Sequence, residues 1–238
     1  MPPPFFKEII MEGKRSGQLL REAEGFIFDL DGTLIDSEIV MSDINRGLLE
    51  KAGKERIEHY LELIKGTSFT IQEELFNECL SAYLDFDFRT YRKKFLEQLN
   101  KAIKEGRIPL KEGANEILKL TKSIGKIALA TSTGEETGKF KLLYSPLKSQ
   151  LFDNLIFGDH IKASKPDPEI FLTVAEKMGV DPAKTVVFED SNNGALAGIR
   201  GGFITLFIKD LSDATDEVKE GAFATFNSLN EIIALMGD

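Results

Sequence analysis

Cysteine, histidine and basic residues are scarce in this sequence, and each shortage narrows what the protein can be. Cys79 is the only cysteine, so no intramolecular disulfide can form, which favours a reducing, cytoplasmic compartment. His59 and His160 are the only histidines, which excludes a zinc site built from several histidines and disfavours histidine-based acid–base catalysis. Lysine and arginine number 30 against 39 acidic residues, a net charge of −9. We therefore expect no nucleic-acid or anionic-membrane partner, because both need a concentrated basic surface.

Long apolar segments are also missing. No stretch approaches the roughly 20 apolar residues that a membrane-spanning helix needs. Residues 1–6 contain three prolines and no basic segment followed by an apolar one, so we expect no secretory signal. The composition, 42% apolar and 29% charged, is that of a globular protein with a sizeable core.

The spacing of apolar residues divides the chain into an extension, a core and an insertion. Residues 1–24 show no clear strand and are interpreted as a helix or a partly ordered arm. Residues 37–108 show helical spacing without strong strands, whereas strands and helices alternate from residue 109 onward. Such alternation is typical of a parallel sheet with helices on both faces. We therefore predict an α/β, Rossmann-like core (25–36 and 109–238) with an inserted all-helical domain (37–108).

Individual elements follow from the same periodicities. The predicted strands are 25–30, 126–131, 154–157, 185–189, 203–207 and, more weakly, 222–226. The predicted helices of the core are 113–124, 134–144, 168–178, 192–200 and 228–236. In the insertion, an apolar stripe over 75–84 predicts an amphipathic helix, and another helix is predicted over 91–105, ended by Gly106.

Two aspartates follow the first predicted strand. Side chains two residues apart on extended backbone point to the same side, so Asp29 and Asp31 should converge at the carboxyl end of the strand, where open α/β sheets bind ligands. Two close carboxylates repel each other unless a cation relieves them, and Mg²⁺ prefers oxygen ligands. Taken alone, the segment is better explained as a solvated surface turn, although the apolar run before it favours a buried site. Leu34 and Val40 stand where an EF-hand needs glycine and glutamate, which excludes that calcium loop.

Two further clusters carry groups that suit phosphate. Thr131 and Ser132 follow a predicted strand, where hydroxyl and backbone N–H groups can bind an oxyanion; an ordinary helix N-cap is the alternative. Lys165 lies in Lys-Pro-Asp-Pro, where two prolines fix the backbone around an ammonium group that can bind phosphate. A solvated lysine in a proline turn is the alternative there.

A fourth cluster, Glu189 and Asp190, closes the predicted strand 185–189. Acids at the end of a buried strand cost free energy unless they are paired or bind a metal, although Asp190 or Ser191 could simply cap the next helix. Together the four clusters should meet at one edge of the sheet. They supply a nucleophile, an acid–base group, a cation and metal ligands, which is the set of groups that phosphoryl transfer needs.

With these motifs in this order, the sequence resembles the haloacid dehalogenase-like hydrolase superfamily, in the branch with a helical cap after the first motif that includes phosphatases and β-phosphoglucomutases. The resemblance covers 25–207 and rests on Asp-Leu-Asp-Gly-Thr-Leu-Ile-Asp-Ser-Glu (29–38), Lys-Pro-Asp-Pro (165–168) and Glu-Asp-Ser-Asn-Asn-Gly (189–194). It implies a Mg²⁺-dependent phosphohydrolase for a small phosphorylated metabolite, with 37–108 as a cap that closes over the site.

The resemblance also implies the roles of the acidic residues. Asp29 would be the nucleophile that becomes an aspartyl phosphate, and also a metal ligand. Asp31 would protonate the leaving group, then activate water, and would bind the metal through its backbone carbonyl. Asp190 would be a further metal ligand, with Glu189 a second acid near the ion.

The resemblance assigns the phosphate contacts to other residues. Thr131, with Ser132 nearby, would hold the transferring phosphoryl group. Lys165 would clamp the phosphate and the nucleophile. Lys65, in the insertion, is retained from the mutase relatives and would touch substrate, although a solvated lysine beside a turn glycine explains it equally well.

Departures from the family pattern narrow the expected activity. Asp31 argues against a dehalogenase, because those relatives lack an acid there and need no metal. Met41 stands where the mutases carry a histidine, and Phe69 where they carry a cap arginine, so a plain phosphatase is favoured over a hexose-phosphate mutase. A catalytically silent phospholigand-binding or regulatory protein is the third alternative. A silent relative is free to lose its motif residues, but this sequence keeps all four: Asp29, Asp31, Lys165 and Asp190.

Overall fold

The computed structural model describes residues 17–64, 69–147 and 149–237, with the Phe69 side chain excepted. The described chain forms two compact units. One is the insertion Ser37–Ile108, and the other combines the segments before Ser37 and after Ile108. The backbone N–H of Asp36 donates to the carbonyl of Pro109 at 2.9 Å. The chain therefore leaves and re-enters the unit outside the insertion at neighbouring positions.

The insertion is helical throughout its described part. Its helices are α1 (Ser37–Leu48), α2 (Lys54–Leu63), α3 (Phe69–Cys79) and α4 (Phe88–Lys104). Aromatic rings form its centre: Tyr91 of α4 stacks on Phe76 of α3 with centroids 5.1 Å apart. The Tyr91 hydroxyl donates to Asn45 of α1 at 2.6 Å, which satisfies both buried polar groups.

One helix of the insertion is shorter than predicted. The apolar stripe over 75–84 does not continue as a single helix, because α3 ends at Cys79 and Ser81–Tyr83 form a separate 3₁₀ turn. The Ser81 hydroxyl donates to the carbonyl of Asn77 at 2.6 Å, so a side chain satisfies one of the carbonyls left free at the helix end.

The core unit contains a parallel sheet of six strands in the order β3-β2-β1-β4-β5-β6. The strands are β1 (Gly25–Phe28), β2 (Lys126–Ala130), β3 (Asn154–Ile156), β4 (Thr185–Glu189), β5 (Ile204–Ile208) and β6 (Ala224–Phe226). Phe26, Ile27 and Phe28 are fully buried, as expected of a strand covered on both faces. The predicted α/β fold with a helical insertion between β1 and β2 is confirmed.

Helices cover the sheet. They are α5 (Ala114–Ile124), α6 (Glu135–Tyr144), α7 (Glu169–Met178), α8 (Asn192–Arg200), α9 (Asp216–Gly221) and α10 (Leu229–Gly237). Residues of α7 and α8 share a buried cluster with Ile27, Ala128 and Val187. Alternate residues of the same strands point to the opposite face, and α5 contacts β2.

Element boundaries mostly lie within one or two residues of the predicted ones. The strands that change most are β1 and β6, each two residues shorter than predicted. β1 ends at Phe28, and beyond it the N–H groups of Leu34 and Ile35 both donate to the Leu30 carbonyl and fold the chain back. Helix α9 is not predicted by the sequence pattern. Residues 17–21 are helical, and Arg21 donates to the carbonyl of Met236 at 2.8 Å. In the described part of the chain, no helix is both long and apolar enough to cross a membrane.

Candidate active site

The sheet order creates a crevice where β1 lies between β2 and β4. In a doubly wound sheet the connections change direction at such a point, and ligands bind at the carboxyl ends of the strands there. Asp29 directly follows β1, and its N–H donates to the carbonyl of Phe188 in β4 at 3.0 Å. Glu189 is the last residue of β4. Asp29 and Glu189 are therefore neighbours, and both are nearly fully buried, at 7% and 1% exposure.

Lys165 joins these two acids. Its Nζ lies 2.6 Å from Asp29 Oδ1 and 3.3 Å from the Ala130 carbonyl, and it also donates to Glu189 Oε1. The three contacts match the three donors of an ammonium group. Burial alone would lower the pKa of Lys165, but the two carboxylates outweigh it and raise that pKa above its usual value. Lys165 is therefore a fixed cation in contact with Asp29 and Glu189.

Asp190 directly follows Glu189 and is held by the turn after β1. The Thr33 hydroxyl donates to Asp190 Oδ1 at 2.7 Å. Gly32 has a φ of +88°, and a Cβ there would lie 2.1 Å from Asp190 Oδ2, so only glycine allows this approach. Burial raises the pKa of Asp190 to about 9, and the charges of Glu189 and Asp29 add to the rise.

The surroundings of Asp29 likewise disfavour its ionised form. Burial raises its pKa to about 7; Lys165 opposes the rise, while Glu189 and Asp31 add to it. Two acids, Asp29 and Glu189, thus share one lysine, and the charges of both act on Asp190. Carboxylates crowded in this way are relieved by a divalent cation, and oxygen donors of this kind suit Mg²⁺. The residues present therefore fit the metal that the sequence predicts.

The ligand set itself stays a prediction. Within the described residues, no three His, Cys, Asp or Glu side chains form a group that could hold a metal ion. The predicted set does not require three side chains, because Asp31 is expected to contribute its backbone carbonyl. Glu189 is engaged otherwise: Oε1 accepts from Lys165, and Oε2 accepts from the Ser191 N–H and hydroxyl at 3.1 and 3.0 Å. Ser191 also caps α8 through the Gly194 N–H, as the alternative interpretation proposed.

Asp31 has partners that the sequence did not predict. The Thr133 hydroxyl donates to Asp31 Oδ2 at 2.7 Å, and Lys141 Nζ lies 2.6 Å from Asp31 Oδ1. Thr133 belongs to the hydroxyl-rich segment after β2, so the sequence indicated hydroxyl groups near the site without indicating that one of them binds Asp31. Lys141 lies on α6, where its side chain is 7% exposed, and the local sequence gives no sign of this burial.

The two predicted phosphate-binding residues after β2, Thr131 and Ser132, differ in their exposure to solvent. Thr131 is buried, and its Oγ1 accepts from the Thr133 N–H at 3.1 Å, which orders the loop after β2. Ser132 is exposed, and its backbone packs against Gly158, where a Cβ would lie 2.2 Å from the Ser132 carbonyl oxygen. Lys65 lies outside the described residues. The core thus brings Asp29, Glu189 and Lys165 into direct contact, with Asp31 and Thr131 beside them.

Comparisons with known proteins identify relatives of this chain. Residues 23–202 match the family model of the haloacid dehalogenase-like hydrolases. A phosphorylated carbohydrates phosphatase of Thermotoga maritima is 34% identical over 84% of this chain and 93% of its own. The fructose-1-phosphate phosphatase YqaB of Escherichia coli is 30% identical over 75% of this chain and 92% of its own. A crystal structure of a candidate β-phosphoglucomutase from Thermotoga maritima superposes with a TM-score of 0.76 at 32% identity, covering 90% of this chain and 98% of that one.

The chain therefore belongs to the haloacid dehalogenase-like hydrolase family. Within that family it is an enzyme of the phosphatase type. The resemblance drawn from the sequence motifs is confirmed.

Proposed function

We propose that this phosphatase removes phosphate from a phosphorylated carbohydrate, with Asp29 as the nucleophile and Mg²⁺ as the cofactor. The observation that carries the proposal is the buried Asp29 held at 2.6 Å by Lys165 at the switch point of the sheet. The substrate class is supported by the names of the Thermotoga maritima and Escherichia coli relatives, both of which are phosphatases of phosphorylated sugars.

The metal would be held by Asp29, Asp190 and the backbone carbonyl of Asp31. This placement is supported by the excess of buried carboxylates over lysine around Asp29. When bound, the ion would neutralise the charge on the phosphoryl oxygens. Glu189, already paired with Lys165, would act near the ion through charge rather than as a direct ligand.

The first half of the reaction uses Asp29 as a nucleophile and Asp31 as an acid. Lys165 holds one oxygen of Asp29, which orients the carboxylate toward the phosphorus of the substrate. The bond from Asp29 to phosphorus forms as the ester P–O bond breaks, and the leaving oxygen takes the proton from Asp31. The Thr131 hydroxyl would donate to a phosphoryl oxygen. The product is an aspartyl phosphate and a free sugar hydroxyl.

The second half returns the enzyme to its starting state. The Asp31 carboxylate takes a proton from a water molecule, whose oxygen attacks the phosphorus of the aspartyl phosphate. The P–O bond to Asp29 breaks, inorganic phosphate leaves, and Asp31 again carries a proton. Residues 37–108 would supply the cap that selects the sugar, with Lys65 as a substrate contact.

The test is phosphate release by the purified protein across a panel of sugar phosphates, with and without Mg²⁺. We expect Mg²⁺-dependent turnover of at least one sugar phosphate, and no turnover by Asp29→Asn although the variant stays folded by circular dichroism. Undiminished activity of Asp29→Asn would overturn the mechanism. Turnover confined to substrates other than sugar phosphates would overturn the substrate class.

A second candidate function is that of a hexose-phosphate mutase. Similarity to the candidate β-phosphoglucomutase structure favours it, whereas Met41 and Phe69 stand where the mutases carry a histidine and an arginine. Interconversion of β-glucose 1-phosphate and glucose 6-phosphate faster than phosphate release would identify a mutase. We expect phosphate release to be the faster process.

A further inference from the structure

Lys141 and Thr133 together hold both oxygens of the Asp31 carboxylate. Lys141 Nζ lies 2.6 Å from Oδ1, and the Thr133 hydroxyl lies 2.7 Å from Oδ2. A carboxylate bound at both oxygens has little freedom to rotate. Neither partner belongs to the motif residues to which the family resemblance assigned a role.

The position of Lys141 is set by the packing of helix α6. The N–H of Glu135, at the start of α6, donates to both carboxylate oxygens of Asp159 at 3.0 Å. One turn later, Gly138 lies against Phe157, where a Cβ would be 2.5 Å from the ring. Lys141 follows Gly138 by three residues and therefore lies on the same buried face of the helix. The backbone contacts at Glu135 and Gly138 thus hold the helix so that Lys141 points inward toward Asp31.

A lysine buried to this degree needs a compensating charge. Its side chain is 7% exposed, and a buried ammonium group without a partner is strongly destabilising. Asp31 supplies that charge in its ionised form, the state in which it takes a proton from water in the proposed mechanism. Lys165, by comparison, is shared between Asp29 and Glu189. Each of the two aspartates of the first motif therefore has its own lysine.

We propose that Lys141 is a positioning residue that fixes the orientation of the Asp31 carboxylate for proton transfer. The inference rests on the proposed function, in which Asp31 is the acid and then the base. General acid–base catalysis requires the proton donor within hydrogen-bond reach of the leaving oxygen, and a displacement of about 1 Å can cost about 10²-fold in rate. Lys141 acts through Asp31 and touches neither the phosphorus nor the leaving group.

The first experiment compares two substrates that differ in their need for an acid. A sugar phosphate releases a basic alkoxide and needs the proton of Asp31, whereas p-nitrophenyl phosphate releases a weak base and needs it little. We expect Lys141→Met to lower kcat/KM by about 10²-fold for the sugar phosphate and by less than about fivefold for p-nitrophenyl phosphate. Lys141→Arg, which keeps the charge, should recover most of the loss. Equal losses for both substrates would overturn the proposal.

The matched control is Lys139→Met. Lys139 lies on the same helix but is 60% exposed and pairs with Glu135 at 2.6 Å. Its replacement removes the same charge two residues away and should leave both substrates unaffected. A substrate-selective loss in Lys139→Met would show that net charge on α6, rather than contact with Asp31, is responsible.

A double-mutant cycle tests whether Lys141 acts through Asp31. In an Asp31→Asn background, Lys141→Met should lower kcat/KM for the sugar phosphate by less than about threefold, because the group that it positions is already lost. A further loss of about 10²-fold in that background would contradict the inference, since Lys141 would then act independently of Asp31.

A structural measurement separates this inference from the proposed function. Crystal structures of Lys141→Met and Lys141→Arg should show the Asp31 carboxylate rotated in the first variant and unchanged in the second. An unmoved carboxylate in Lys141→Met would overturn the positioning role even if the enzyme is a phosphatase. If the wild-type protein released no phosphate from any substrate, the proposed function would fail, and the crystal structures would still decide whether Lys141 orients Asp31.

Discussion

Asp29 and Asp31 are only two residues apart in the sequence, yet they lie in different electrostatic surroundings. Around Asp29, Lys165 pairs with two buried acids, Asp29 and Glu189, and the partly buried Asp190 follows Glu189. Around Asp31, Lys141 and Thr133 bind one carboxylate oxygen each. The Asp29 pocket therefore has excess negative charge, whereas the Lys141–Asp31 pair is balanced in charge.

The difference matches the two roles proposed for the carboxylates. A nucleophile that also binds a cation belongs where negative charge is in excess, because the cation then completes the site. A group that gives up and regains a proton needs a fixed direction toward the reacting oxygen. Enzymes commonly assign different roles to two carboxylates in this way, through their surroundings rather than their chemical type.

The largest expected effect comes from exchanging the two aspartates for asparagine one at a time. Asp29→Asn should abolish turnover of every substrate, a loss of at least about 10⁴-fold, because no aspartyl phosphate can form. Asp31→Asn should lose about 10²–10⁴-fold on sugar phosphates but still react with p-nitrophenyl phosphate and accumulate phosphoenzyme. Steady-state phosphate release and rapid-quench trapping of the phosphoenzyme measure both.

The contrast between these variants is the informative result. If Asp31→Asn were as inactive as Asp29→Asn toward p-nitrophenyl phosphate, with no phosphoenzyme, the two aspartates would not have separate roles. Circular dichroism of both variants provides the control for folding.

A smaller effect is expected when Lys165 is replaced by methionine. The variant leaves the buried acids Asp29 and Glu189 without their cation, so unfolding should become easier by about 3 kcal/mol near neutral pH. Activity should fall by about 10²–10⁴-fold, since Asp29 loses its orientation. Urea unfolding and phosphate release measure the two effects.

The surface lysine Lys184 is the control for this prediction, since it pairs with Glu24 at 2.8 Å and is 59% exposed. Lys184→Met should change stability far less than Lys165→Met does, because solvent screens an exposed ion pair. A Lys165→Met protein as stable as Lys184→Met would mean that the acids around Asp29 do not depend on Lys165.

The excess charge around Asp29 also predicts how pH and Mg²⁺ act on stability. The pKa of Asp29 is raised to about 7 and that of Asp190 to about 9, both chiefly by burial. Between the unfolded pKa of about 4 and these values, the folded state binds more protons than the unfolded state, so stability is greatest below the unfolded pKa and falls as pH rises. Metal-free protein should lose about 3–4 kcal/mol of unfolding free energy between about pH 6 and about pH 8.

Mg²⁺ should reverse this trend, because it binds the ionised acids. The stabilisation by Mg²⁺ should be larger at about pH 8 than at about pH 6, as measured by urea unfolding with Mg²⁺ or with EDTA. The Asp190→Asn variant should show a weaker pH dependence when metal-free. Metal-free stability that rises over this pH range would show that Asp29 and Asp190 ionise freely without a cation.

The Asp29 pocket can largely be predicted from the sequence. Its residues follow apolar runs that become parallel strands, and the ends of parallel strands must meet at one edge of the sheet. Asp29, Glu189 and Asp190 are therefore placed by topology. The prolines around Lys165 point to a fixed lysine, although its contacts with Asp29 and Glu189 become visible only in the structure.

The Asp31 pocket can be predicted only in part. In Glu-Glu-Thr-Gly-Lys-Phe-Lys, nothing local distinguishes Lys139 from Lys141, yet one is exposed and the other is buried. The distinction comes from the contact of Gly138 with Phe157, which is a tertiary contact between α6 and the end of β3. A helix with lysines on opposite faces does not reveal in its sequence which face the sheet covers.

The smallest expected effect tests that contact directly. Gly138→Ala would place a Cβ 2.5 Å from the Phe157 ring, so α6 must shift and Lys141 must move relative to Asp31. We expect a loss of about 1–3 kcal/mol in unfolding free energy, and a selective fall in kcat/KM for the sugar phosphate over p-nitrophenyl phosphate. As in Lys141→Met, kcat/KM should fall more for the sugar phosphate than for p-nitrophenyl phosphate, but the difference between the two substrates should be smaller.

Gly47→Ala is the matched control, because Gly47 also lies in a helix but has no atom within 4 Å of the position that the new methyl group would take. That substitution should stabilise the protein by up to about 1 kcal/mol and leave substrate preference unchanged. If Gly138→Ala were as well tolerated as Gly47→Ala, the packing of α6 on Phe157 would not set the position of Lys141.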